Sequence, residues 1–231
     1  LYNTMMATTA NVAGIERSGA SGSHRYSAIG SALRPITYVS WWDAARFCNW
    51  LHNGQGSGGT EQGAYPLAGA VEGIPPKASP DAKFTIPTEA EWFKAAYYKG
   101  GSLNAGYWTY ATQSDEPPGN QLESGSHQAN YRARGLFCLT QSAHHSEDAL
   151  YLTDVGAFSG SSSGYGTFDQ QGNVQEWNDL TGLSEPARGL LGGSWYQGLF
   201  FLTHRNAAST PTYENSITGF RVVSPAPEQA P

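Results

Sequence analysis

The sequence predicts an α+β domain with two main helices, short antiparallel strands and much irregular structure. Three observations predict it. Gly (28) and Pro (13) are abundant in a chain of 231 residues, and both interrupt regular elements. Seven Trp and 13 Tyr supply the anchors that irregular backbone needs, because large rings bury the most area per residue. Two stretches alone combine a helical apolar period with a capping signal at the start. The length fits a single domain over residues 1–223, followed by a Pro-rich tail, 224–231 (SPAPEQAP), which has no apolar anchor and is expected to be disordered.

Residues 1–34 are rich in Gly, Ser and Thr and read as loop with one short strand. Pro35-Ile36-Thr37-Tyr38-Val39 is a strand-like run that leads to Ser40, a helix cap, with Asp43 in the first turn. Ala44, Phe47, Cys48 and Leu51 then recur at i, i+3, i+4 and i+7 and define one buried face of a helix ending near Asn53-Gly54. The Gly- and Pro-rich stretch 54–82 is an elaborated surface loop. Phe84-Thr85-Ile86 is a second short strand, and Thr88 with Glu91 has the spacing of a capping box ahead of a helix whose inner side is Trp92, Ala95 and Ala96. From 101 to 168 turn signals alternate with aromatics and no period survives. Residues 169–177 form a turn entering a strand that carries a buried Trp177, and Leu190-Leu191 leads into the turn Gly192-Gly193-Ser194-Trp195.

Composition also excludes functions. A formal charge of −6 removes the electrostatic attraction that drives nucleic-acid binding, and Arg132 with Arg134 is too little for a basic stripe. No window approaches the roughly 20 apolar residues of a membrane span. Cys48 and Cys138 form no C-x-x-C pair, so a zinc knuckle is not supported. Cys48 reads as a small buried hydrophobe, and a disulfide with Cys138 stays open. There is no H-E-x-x-H, G-x-S-x-G or P-loop spacing. His144-His145 reads as part of a polar loop.

Two groups of side chains have the chemistry of hard-cation ligands in irregular loops: Asn130, Asp148 and Asp154 in one, Asn173 and Glu176 in the other. A third feature is the segment 196–218, YQGLFFLTHRNAASTPTYENSIT, which has no Lys, Met, Asp or Val. Aromatic rings give contact area at low rotamer cost, and Ser, Thr and Asn give adaptable hydrogen bonds, the composition of antibody loops. The contact residues expected there are Tyr196, Gly198, Leu199, Phe200, Phe201, Thr203, His204, Asn206, Ser209, Thr210, Thr212, Tyr213 and Ser216. The competing reading of Phe200 and Phe201 is buried core, for Phe201 above all, since adjacent residues in a strand face opposite sides.

YVSWWDAARFCNWL, FTIPTEAEWFKAAYYKGG, GNVQEW, LLGGSW and GFRVV occur in an order that resembles the formylglycine-generating enzyme family (sulfatase-modifying factor domain). The resemblance runs from about Pro35 to Val223 and implies a C-type-lectin-like fold; the strand and helix with which the family opens are expected in an upstream segment that this sequence does not include. It implies two structural calcium sites, one with Asn130, Asp148 and the carbonyls of Tyr131 and Leu150, the other with Asn173, Glu176 and the carbonyls of Gly172 and Val174. In the family's oxidases two cysteines after the Gly-Gly-Ser turn handle copper and substrate; here Gln197 and Leu202 stand in those places, so neither copper nor catalysis by that chemistry is expected. The same frame resembles the variable proteins of diversity-generating retroelements, whose adenine-randomised codons cannot yield Lys, Met, Trp, Gln or Glu. Only Gln197 and Glu214 in the segment are of those types, against roughly four or five in ordinary composition. The resulting expectation is a binder of a protein or other macromolecule. Its rivals are an enzyme of the family with non-oxidase chemistry and a structural surface module.

Overall fold

The computed structural model describes residues 15–21, 23, 25–101, 105–122, 125–203 and 207–224. Its elements are β1 (Ile15–Ser18), β2 (Arg25–Ala28), α1 (Trp41–His52), α2 (Glu89–Tyr97), β3 (Gln175–Asn178), β4 (Arg188–Leu191), α3 (Leu199–Thr203), β5 (Ala207–Ser209) and β6 (Thr218–Phe220). β1 and β2 form a separate hairpin where one short strand was expected. The remaining strands make one sheet in the order β5-β4-β3-β6.

Both main helices start where their caps predict. In α1 the Ser40 hydroxyl accepts from Asp43 N at 3.2 Å while the Asp43 carboxylate accepts from Ser40 N at 3.1 Å. In α2 Glu91 returns the same favour to Thr88 N at 2.8 Å. Each box satisfies donors that the first turn leaves without intrahelical partners. The buried stripe of α1 is rotated from the expected one. Trp41, Trp42, Ala44, Ala45, Cys48 and Asn49 are buried, while Phe47 and Leu51 are half-buried, because the two tryptophans carry more apolar area into the core than the residues they displace.

The sheet lies between the helices, and its period of two divides the core. Trp177 and Leu190 pack on the α1 side with Trp41, Trp42 and Tyr65. Their neighbours turn the other way: Leu191 joins Trp92 of α2, and Glu176 accepts from the Trp92 indole at 2.7 Å. All four residues of β3 are buried, and so are those of β4.

Three strand expectations change. β6 runs parallel to β3, with Glu176 opposite Gly219 and Trp177 opposite Phe220, so the sheet is mixed; the chain crosses from β5 at one edge to β6 at the other, and such a crossover joins strands of the same sense. No strand forms at Pro35–Val39, where Tyr38 has φ 55, a left-handed backbone that ends extended structure. The run 84–86 contributes a single bridge, Thr85 to Val223.

Buried polar groups hold the irregular backbone. Asn49 on α1 donates to Thr60 O and Tyr65 O and accepts from Tyr65 N at 2.6 Å, fixing the 54–82 loop. Asp179, just past β3, accepts from Trp41 Nε1 at 2.6 Å and Tyr65 OH at 2.7 Å and lies 3.1 Å from Arg188 Nε. Burial pushes its carboxyl up from 3.8 to about 6, against the pull of Tyr65, Arg188 and Trp41. Cys48 and Cys138 are both free and buried, so no disulfide joins them, and burial raises both thiols above their ordinary range.

Candidate functional site

Between Gln170 and Asp179, and again between Arg188 and Trp195, every residue is buried. One residue later the chain turns outward. The turn depends on Gly192 (φ 89) and Gly193 (φ 66). A Cβ on Gly192 would stand 2.6 Å from Gln170 O, and one on Gly193 would stand 3.1 Å from both Leu202 Cδ2 and the Phe201 backbone. The second contact shows why α3 can lie directly over the turn.

Beneath the turn the Trp195 ring stacks on Tyr151 at 4.7 Å with 8° between planes. Phe137 and His145 complete the cluster at 6.0 and 5.9 Å from Trp195. His145, expected to be merely polar loop, lays its ring on this stack. Trp195 N donates to Asn173 O at 3.0 Å, so the buried Asn173 loop carries the turn.

α3 was not foreseen. Five residues are too few to show a helical period, and Phe200 and Phe201 were weighed as strand neighbours. Instead Leu202 is the plug: it is 1% exposed among Ala129 and Tyr131, and its carbonyl accepts from Tyr97 OH at 3.0 Å and Gln171 Nε2 at 3.1 Å. The residues around it point to solvent. Tyr196 is 49% exposed, Leu199 37%, Phe200 65% and Phe201 44%; Thr203 is exposed and Gly198 half-buried.

The structure therefore brings Tyr196, Gly198 and Phe201 together, with Arg132, Gly135 and Ile217, around a cavity of about 490 Å³. Thr210 and Thr212 are exposed, and Ser209, Tyr213 and Ser216 are half-buried, but none of these five lines that cavity. Their stretch lies against the start of α1, where Pro211 O accepts from Trp41 N at 2.9 Å and Asn215 O from Tyr38 N at 2.9 Å. Tyr213 packs against the α1 core, which makes it an anchor as much as a contact residue. His204 and Asn206 lie outside the described residues, as do residues 225–231 of the tail.

The two expected cation sets differ in how they fit an ion. Glu176 gives both carboxylate oxygens to Arg221, one bond at 2.6 Å to Nη2 and one to Nε, besides accepting from Trp92. A cation at Glu176, Asn173 and the Gly172 and Val174 carbonyls would compete with a guanidinium already in place. Asn173 Oδ1 is likewise taken, by Thr153 N and Asn130 Nδ2 at 3.1 Å each. In the other set Asn130 Oδ1 is buried without a hydrogen-bond partner, an acceptor of the type a hard ion takes. Tyr131 is buried, Leu150 and Asp154 are half-buried and Asp148 is exposed. Among the described residues no three His, Cys, Asp or Glu side chains gather as a metal-binding group, and no helix is long and apolar enough to cross a membrane.

Sequence reasoning missed Arg132 as part of this face, and no local signal marks it. It arrives through a tertiary contact, Arg132 N to Gln197 O at 3.0 Å.

The family model described as sulfatase-modifying factor enzyme 1-like domain matches residues 2–226. Among solved structures the chain is similar to the crystal structure of CarF, with 25% identity and a TM-score of 0.51 over 93% of this chain and 75% of that one. Variable protein 1 of Treponema denticola is matched at 22% identity and a TM-score of 0.45, over 89% of this chain and 74% of that one. None of the curated proteins compared matches the chain.

Proposed function

We propose that this chain, which belongs to the sulfatase-modifying factor enzyme 1-like family, is a ligand-binding protein that presents residues 196–218 on the family's α+β scaffold. The supporting observation is the break in burial between Trp195 (3% exposed) and Tyr196 (49%), after which Leu199, Phe200 and Phe201 stand outward over one buried leucine. Contiguous exposed apolar side chains cost solubility without adding to the core, and such patches mark interaction surfaces. Aromatic residues are the type in which interface energy concentrates. Gln197 and Leu202 offer no thiolate to copper, and Leu202 is spent on packing, which favours recognition over the oxidase chemistry of the family.

Diversification of the segment belongs to the same proposal. A library of this chain varied at Tyr196, Phe200, Phe201, Thr203, Thr210 and Thr212 is expected to yield binders for unrelated protein targets while melting temperatures stay close to the parent's. Broad loss of folding across the library would overturn it. A reverse transcriptase gene with a near-identical template repeat beside the gene is the genomic counterpart, and its absence would remove diversification while leaving binding to stand. Calcium is proposed only at Asn130, with the Tyr131 and Leu150 carbonyls and Asp148. A calcium-dependent rise in melting temperature that Asn130→Ala abolishes is the expected result, and a melt indifferent to chelator rejects it.

A further inference from the structure

The one charged residue among those lining the cavity beside α3 is Arg132. Its guanidinium is held in place from three sides. Nε donates to Gly135 O at 3.0 Å, Nη2 donates to Ala143 O at 3.1 Å, and the plane lies over the Phe137 ring at 4.9 Å. Among the described residues Arg132 has no carboxylate partner, in a chain whose net charge is −6. The exposed stretch next to it, Tyr196 to Thr203, carries no charge at all.

This arrangement constrains what can cover the face. A surface that seals Tyr196, Phe201 and Ile217 also takes water from the half-buried Arg132. An ion stripped of water without a counter-ion is strongly disfavoured, and the apolar contact beside it is weakened accordingly. A partner must therefore bring an acceptor to the N–H groups left over, two on Nη1 and the second on Nη2, and a carboxylate matches that edge with two parallel hydrogen bonds. Because the guanidinium is already anchored, little side-chain entropy is lost when it is used.

We infer that the face binds a protein ligand through an Asp or Glu side chain standing beside an aromatic or branched aliphatic one, the carboxylate paired with Arg132 and the apolar group seated between Tyr196 and Phe201. This rests on the reading of residues 196–218 as a binding face, and it adds the chemical class of what that face accepts. Ile217 and Gly198 also line the seat, and Gln197 supplies the one side-chain amide among its lining residues.

Random peptides displayed on phage and panned on the whole chain provide the test. Enriched peptides are expected to carry an acid next to an apolar residue. Replacing that acid by its amide in a synthetic peptide is expected to weaken binding about tenfold or more, since a hydrogen-bonded charge pair is lost. Arg132→Gln should weaken it to the same extent and Arg132→Lys by less. The peptide substitution leaves the protein intact, so it reads the pair even if Arg132→Gln loosens the loops that Arg132 ties at Gly135 and Ala143. Enriched peptides that are neutral or basic, or that bind Arg132→Gln and the amide peptide undiminished, overturn this inference and leave the binding face standing. Peptides that bind equally well to Tyr196→Asp, or no enrichment at all, overturn both.

Discussion

The eight residues from Arg188 to Trp195 and the eight that follow them, Tyr196 to Thr203, are consecutive in sequence and opposite in use. In the first set every side chain is buried; in the second Leu202 alone is. Both are apolar, so hydrophobicity does not tell them apart. What differs is the supply of partners. Leu190 and Leu191 sit on opposite faces of a strand with a helix on each side, whereas Phe200 and Phe201 lie on a five-residue helix with core on one side only. A single face of packing accommodates a single plug, and the remaining apolar side chains are left outside. Exposure here follows from topology, so the proposed recognition would fall on positions other than those that carry stability.

The largest expected effect lies in the buried set. Glu176 on β3 is held by Arg221 beyond β6, with their side chains 6% and 22% exposed. Glu176→Gln leaves a guanidinium short of its counter-ion, and breaking such a pair costs about 3–5 kcal/mol. Urea unfolding followed by tryptophan fluorescence measures it. A loss below about 1 kcal/mol would mean that Arg221 is not the partner that matters, and would reopen the second cation set.

Next comes the plug. Leu202→Ala empties the space beneath α3 and is expected to cost about 2–5 kcal/mol, depending on how far Ala129 and Tyr131 collapse into it. The same melt should show that the loss is cooperative with the whole domain, since Leu202 O also ties Tyr97 and Gln171. A separate low-temperature transition would instead make α3 an independent unit and weaken the comparison.

Acidity probes the buried side differently. Asp179 holds its proton more tightly folded than unfolded, because burial raises its carboxyl from 3.8 to about 6. Its contribution to stability is therefore complete below the unfolded value and declines as pH rises through about 6, by roughly 3 kcal/mol at most for a shift of this size. Glu61, lowered from 4.5 chiefly by its hydrogen bond to Arg46, acts in the opposite sense, but its effect lies at and below its ordinary value. The urea midpoint should thus fall between pH 5 and pH 7, and Asp179→Asn should flatten that slope. A midpoint that rises across this window would show that the pair with Arg188 outweighs desolvation.

How much of this was legible depends on the range of the interaction. The two capping boxes, Ser40 with Asp43 and Thr88 with Glu91, were readable because both partners lie within one turn. So was the buried Trp177 strand, and so was the glycine turn that ends at Trp195. The parallel return of β6, the Glu176–Arg221 pair and the reach of Asn49 into the 54–82 loop were not, since they join residues that only the folded chain brings together. In the irregular region 101–168, where bound cations were one candidate support, amides tie the loops: Asn120 Nδ2 bonds Tyr131 O and Leu136 O, and Gln171 bonds Ala111 N and Leu202 O. An amide in a loop looks alike in sequence whether it turns the chain or ties it. On the proposed binding face, composition singled out Tyr196, Leu199, Phe200 and Phe201, which are exposed, but Tyr213 shows the limit of composition, since the same residue type packs against α1.

The smallest expected effect on stability is the one that decides the comparison. Phe200 is 65% exposed, and its ring meets that of Phe201 at 5.4 Å, edge to face. Phe200→Ser removes little buried area, so the change in unfolding free energy is expected to stay within about 0.5 kcal/mol, the range of ordinary surface substitutions. Aromatic residues at the centre of an interface carry far more than that, about 2 kcal/mol or more on truncation. A variant that melts like the parent and loses a selected ligand by a factor of about 30 would place stability and recognition on different residues two positions apart, Leu202 and Phe200. If Phe200→Ser instead lowered stability as much as Leu202→Ala, the exposed helix would have to be counted as core, and the outward turn after Trp195 would lose its functional meaning.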